Sequence, residues 1–149
     1  MAAVLVIAHA PLASALLAVG SHVYSEQGHR LAAVDVEASM SAETVESLAR
    51  AAMEGLETDE VLILTDVFGA TPCNVAQRLA DGVAIRVVTG VNVPMLWRSL
   101  CYLREPLDAL VARAVAGATQ GVMQVAHTRP QNQIQSPITN DPNNSRHQQ

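Results

Sequence analysis

VLILTDVFGATP, residues Val61 to Pro72, reads as a strand that ends on a carboxylate and turns at once into a helix. Val61–Thr65 is a Val/Ile/Leu run of the kind found in parallel strands covered on both faces. Thr71 suits a helix N-cap and Pro72 the first helical position, so a helix is expected to open here. Asp66 falls between the two elements, just past the carboxyl end of the strand. The common role for an aspartate in such a place is to bond local backbone in the turn.

The pattern of strand, turn and helix extends outward in both directions. Val4–Ala8, Leu31–Val36 and Ile85–Thr89 also read as strands. Leu12 to Val23 and Val75 to Leu79 read as helices, and Val93-Pro94 opens another. Val45, Leu48, Ala49, Ala52, Met53 and Leu56 follow helical spacing, as do Leu107, Leu110, Val111, Ala114, Val115 and Ala118. Alternation of this kind implies parallel βαβ units with right-handed crossovers. The expected fold is an α/β open doubly wound sheet of four parallel strands in the order 2-1-3-4, since a barrel needs about twice the length. Such sheets bind ligands beyond the carboxyl ends of their strands, where strand order reverses. His9, Asp66 and Thr89-Gly90 all follow strand ends and open on one edge. A reversal between the first and third strands would set His9 and Asp66 face to face across a cleft.

Composition removes several classes of function. The 149 residues fit one domain, and 50% of them are hydrophobic, enough for a sizeable core. A net charge of −5 with 3% aromatic residues leaves nucleic acid an unlikely partner, since phosphate binding needs clustered positive charge. All nine Lys and Arg residues are arginines. Without lysine there is no Schiff-base catalysis, no pyridoxal-phosphate anchor and no Walker-type phosphate loop. Cys73 and Cys101 are too far apart in sequence for a paired metal motif and read as reduced cytosolic thiols. The apolar first twenty residues lack the basic leader of an export signal, and His9 and Pro11 interrupt them. No run approaches the ~18 apolar residues of a membrane span. The chain is therefore expected in the cytoplasm, without direct membrane insertion. From His127 onward Gln, Asn, Pro and Ser dominate, so residues 1–126 read as the globular domain and 127–149 as a polar disordered tail or linker remnant.

A lone histidine after a strand is more often structural than reactive. A histidine, a carboxylate and a helix N-terminus converging on one cleft suit transient capture of a phosphoryl group. The nucleophilic imidazole must be neutral with one nitrogen pinned, and a carboxylate on that nitrogen fixes the tautomer and stabilises the cation that forms. Asp66 is placed to do this for His9. The N–H groups of the Gly69-Ala70-Thr71-Pro72 turn make a ready anion site, to which Thr71 adds a hydroxyl. Ala70 would limit that turn if its position required positive φ. His22 and His29 fit helix-end solvation, and nothing ligand-like surrounds His127 or His147. No metal site or cofactor is expected.

VLVIAHAPLA with His9, ILTDVFGATPCNVA with Asp66 and TGVNVPML from Thr89 to Leu96 together resemble the IIA component of the mannose family of the bacterial phosphoenolpyruvate:sugar phosphotransferase system. The resemblance spans roughly residues 2 to 126, and three segments matched in order are far more specific than one. It implies that His9 accepts a phosphoryl group from the phosphocarrier protein HPr. His9 would then pass it to a IIB component of a membrane-associated sugar-transport complex. It also implies that Asp66 holds the protonated ring nitrogen while Thr71 and the Gly69–Thr71 backbone bind the phosphoryl oxygens. The family fold is usually a homodimer, in some members with an exchanged antiparallel strand, for which Gly121–Ala126 is the candidate. The family turn more often reads Gly-Gly-Ser-Pro, and no IIB domain follows in this sequence, so a transport role and a regulatory one are both open. Two other readings stand beside it: a class II chelatase-like enzyme inserting metal into a tetrapyrrole, and a non-catalytic interaction module in which His9 is packed. The shortage of further histidines in the cleft counts against the chelatase.

Overall fold

The computed structural model describes residues 1–126; the stretch read as a tail, 127–149, lies outside the described residues. Four strands and five α-helices alternate. They are β1 (Ala3–His9), α1 (Leu12–Val23), β2 (Leu31–Val36), α2 (Ala42–Glu54), β3 (Val61–Thr65), α3 (Thr71–Leu79), β4 (Ile85–Thr89), α4 (Val93–Cys101) and α5 (Leu107–Gln120). All strand pairings are parallel, and the order is β2-β1-β3-β4, as the sequence predicts. A short 3-10 helix, Ser25–Arg30, fills what reads as a loop in the sequence.

Side chains leave a strand alternately to its two faces. Val4, Val6 and Ala8 of β1 and Leu62 and Leu64 of β3 pack into a core with α1, α4 and α5. Ala3, Leu5 and Ile7 of β1 and Val61 and Ile63 of β3 pack against α2 and α3 on the other face. This explains why β1 and β3 are apolar at every position before their ends. It also fixes the switch point: β1 is followed in space by β2 on one side and β3 on the other, and the crevice opens between β1 and β3.

Two residues of the helical stripes stay outside the core. Leu48 is 43% exposed and Val115 is 46% exposed. Periodicity says which face of a helix is apolar, while burial also needs a neighbour to cover it. Gly121–Ala126, the candidate for an extra strand, forms no strand among the described residues, and Val122, Met123 and Val125 are exposed. No helix among the described residues is long and apolar enough to cross a membrane.

Candidate active site at the carboxyl edge of the sheet

Ile7 of β1 lies beside Thr65 of β3 in the parallel register, so the chain reaches His9 and Asp66 within a residue or two of the same edge. His9 is the last residue of β1, one position further than the sequence reading ends that strand. One Asp66 oxygen, Oδ2, accepts the main-chain N–H of His9 at 2.9 Å and also lies 2.6 Å from its ring Nδ1. The other, Oδ1, accepts the N–H of Val67 at 2.9 Å. Asp66 thus does bond its own turn, and it holds the histidine as well.

The protonation states follow from this geometry. Burial of the Asp66 carboxyl would raise its pKa. The N–H of His9, its ring, the N–H of Val67 and the His9 charge outweigh that effect and lower the pKa below the ordinary carboxylate value. An ionised carboxylate only accepts hydrogen bonds, so Nδ1 of His9 carries the proton and donates it. Nε2 is then the nitrogen with the free lone pair. The imidazole side chain is 53% exposed and the carboxylate beneath it 14%, so the ring is presented to solvent and its anchor is covered.

The turn that follows departs from the expected cap. Ala70, with φ −90° and ψ 167°, is the N-cap of α3, and Thr71 is already helical, with Pro72 next. Thr71 therefore does not cap the helix, and among the described residues its hydroxyl makes no side-chain hydrogen bond. With Pro72 lacking an N–H, Thr71 and Cys73 supply the uncapped amides of the first turn. Asn74, unremarked in the sequence, braces the turn through Nδ2 to the Gly69 carbonyl at 3.3 Å, and its own N–H reaches Ala70 O at 2.9 Å.

Positive φ falls on Gly69, at +85°, and Ala70 lies in the extended region that any residue adopts. The alanine therefore costs the turn nothing. A Cβ on Gly69 would meet no atom within 4 Å, so a Gly69→Ala substitution would be penalised by conformation alone. The expected loss is about 1–2 kcal/mol, read as a fall of several degrees in thermal midpoint. Ala70→Gly should shift the midpoint by about half that or less. Equal stability of Gly69→Ala and the unchanged chain would contradict the turn geometry.

The residues not brought to this edge are as clear. His22 and His29 sit at the far end of α1 and in the 3-10 helix, while His127 and His147 lie outside the described residues. Thr89-Gly90 reaches the edge two strands away from His9, with Val91 N–H bound to the Thr65 carbonyl at 2.9 Å. Among the described residues no group of three His, Cys, Asp or Glu side chains is placed to hold a metal ion. The apolar residues beside the histidine are the site's other unread feature: Phe68 is 73% exposed and Val67 51%.

No curated protein matches the chain. Among solved structures it is similar to the phosphotransferase system component EIIA from Streptococcus agalactiae, at 25% identity and a TM-score of 0.71, covering 83% of this chain and 97% of that one. A mannose/sorbose specific IIA subunit from Enterococcus faecalis superposes at 24% identity and a TM-score of 0.75, covering 86% and 97%. A PTS IIA protein associated with the fucose utilization operon of Streptococcus pneumoniae does so at 22% identity and 0.70, covering 83% and 92%. The family model described as the PTS system fructose IIA component, EIIA-man, matches residues 3–115, so the chain belongs to that family of phosphotransferase-system IIA domains.

Proposed function

We propose that this chain is a phosphohistidine carrier that takes its phosphoryl group from HPr on His9 and hands it to a IIB component. The observation that carries this reading is the 2.6 Å contact between His9 Nδ1 and Asp66 Oδ2, which leaves Nε2 as the open nucleophile. In the transfer, the Nε2 lone pair forms the new N–P bond as the donor's N–P bond breaks, its electron pair returning to the donor imidazole. His9 keeps its Nδ1 proton throughout, and Asp66 balances the positive ring. The Thr71 hydroxyl and the amides of the Gly69–Thr71 turn hold the phosphoryl oxygens at the positive end of α3.

A protein donor fits better than a small one. Four clefts of 180–510 Å³ among the described residues are lined by residues other than His9, Asp66 and Thr71. The exposed Val67 and Phe68 beside the imidazole instead offer apolar surface to a protein face. Incubation with labelled phosphoenolpyruvate, enzyme I and HPr should place an acid-labile, alkali-stable phosphate on the chain. A chain that stays unlabelled would overturn the reading. The setting is cytoplasmic, and the phosphorylated state would serve either sugar uptake or regulation.

The same proposal includes a homodimer. Among the described residues the outer edge of β4 is unpaired, and beside it runs a cleft of about 510 Å³ lined by Val88, Met95, Val115, Ala118 and Val122. Residues 122–126 of a second copy suit that edge, which would also cover Val115. Sedimentation should give twice the 15.8 kDa chain mass. Val122→Asp with Val125→Asp should return it to a monomer. A monomeric unchanged chain would remove the exchange.

A further inference from the structure

Only Ala10 and Pro11 separate β1 from α1, so the amino end of α1 lies at the same edge as His9. It is a second positively polarised helix terminus that a phosphoryl group on His9 could meet. Its own sequence does nothing to quench it, since α1 has no acidic residue in its first turn and Pro11 at the N-cap gives no side-chain cap. The quenching group comes from β2. Asp35 Oδ1 accepts the N–H of Ser14, in the first turn of α1, at 3.0 Å.

The strand period explains why Asp35 reaches there. Leu31 and Ala33 pack in the α1 layer, whereas Val34 and Val36 face α2, so Asp35 shares the α1 face. The junction is pinned on both sides of it. Ala10 N–H donates to the Val36 carbonyl at 3.0 Å, and the Ser14 hydroxyl donates to the Pro11 carbonyl at 3.1 Å. The end of β1 is therefore flanked by one aspartate from each neighbouring strand. Asp66, just past β3, holds the histidine, and Asp35 of β2 holds the helix that follows it.

We propose that Asp35 is a positioning residue for phosphoryl carriage: its carboxylate occupies and neutralises the amino end of α1, leaving the amino end of α3 to take the phosphoryl oxygens of His9. The inference rests on the carrier reading of His9. A doubly charged phosphoryl group beside two open helix ends would be shared between them. With a carboxylate already on one end, like-charge repulsion turns the group toward Thr71 and the Gly69–Thr71 amides, where the hydroxyl and the uncapped N–H groups lie.

The test uses the full chain labelled with 15N, phosphorylated with phosphoenolpyruvate, enzyme I and HPr, and followed through its amide resonances. In the unchanged chain, phosphorylation should move the amides of residues 69–73 and leave Ala13 and Ser14 nearly still. In phosphorylated Asp35→Ala, the Ala13 and Ser14 amides should move at least as far as that of Thr71. Asp35→Asn keeps an acceptor for Ser14 but loses the charge. It should show the same new shifts at a thermal midpoint near that of the unchanged chain, and it decides the matter alone if the alanine variant fails to fold. A purely structural role would lower stability without creating phosphorylation-dependent shifts at residues 13–14. Shifts confined to residues 69–73 in both variants, or already large at Ser14 in the unchanged chain, would overturn the proposal. Absence of phosphate from His9 in the unchanged chain is a separate result, seen before any variant is made, and it would overturn the carrier reading together with this inference.

Discussion

His9→Ala is expected to reduce phosphoryl labelling of the chain to background, a loss of the entire signal. The other described histidines, His22 and His29, offer no substitute, because neither forms an ion pair with a carboxylate among the described residues and neither lies at the carboxyl edge of the sheet. The variant should still fold. The imidazole side chain is 53% exposed, and alanine at this position keeps the main-chain N–H that donates to Asp66 Oδ2. Asp66 also retains Val67 N–H on its other oxygen. Labelling of His9→Ala at the level of the unchanged chain, with the phosphate mapped by mass spectrometry, would move the acceptor elsewhere.

The second large effect is expected at Asp66 and takes a different form. Asp66→Asn leaves the acceptor nitrogen in place, so the chain should still reach full labelling, but more slowly by on the order of 10²-fold or more. An asparagine can present an amide N–H to Nδ1, which favours the tautomer with Nε2 protonated and unable to attack. It also offers no charge to the phosphorylated imidazolium. The loss should fall on the maximal rate, with the KM for phospho-HPr nearly unchanged, because the carboxylate is covered by the ring and is poorly placed to touch a partner. A normal rapid-mixing transfer rate for Asp66→Asn would remove its orienting role. Stability supplies an independent check. The Asp66 pKa is lower folded than unfolded, so in the interval between the two the unfolded chain binds the extra proton. The stabilisation by the carboxylate is therefore present above the unfolded value of about 3.9 and is lost as pH falls through the folded one. The gap in unfolding free energy between the unchanged chain and Asp66→Asn should be full at neutral pH and close below about pH 4.

Much of this site can be read from the sequence because a parallel βαβ chain has little freedom in where its strands end. Once β1 and β3 are recognised as apolar runs, His9 and Asp66 must emerge at one edge, and the reversal in order makes them neighbours. Asp35 escapes the same reading. In LAAVDV it looks like an ordinary interruption of a strand, and its bond to Ser14 becomes visible only when α1 is packed beside β2. The cap of α3 shows a subtler limit. Thr-Pro signals a helix start, yet the signal fits Thr71 as cap or as first helical residue, and the positive φ at Gly69 selects the second by turning the chain one residue earlier. Leu48 and Val115 lie on apolar helical stripes whose periodicity is sound, but what would cover them is not encoded in that periodicity.

The close packing at the end of α5 has a consequence for anything joined behind it. A Cβ on Gly117 would meet Arg98 Cβ at 2.7 Å, and one on Gly121 would collide with the Pro94 ring, so the last turn of α5 is seated directly on α4. Asn92 ties the same corner by donating from Nδ2 to the Ala118 carbonyl at 3.2 Å. Because α4 starts just past β4, the backbone leaves Gly121 on the edge that carries His9, and β4 itself lies about 10 Å, two strand spacings, from β1. A cargo domain fused after Ala126 by a short flexible tether would therefore begin its search beside the imidazole, at an effective concentration in the millimolar range. Transfer to such a fused acceptor would become a first-order process whose rate is insensitive to dilution.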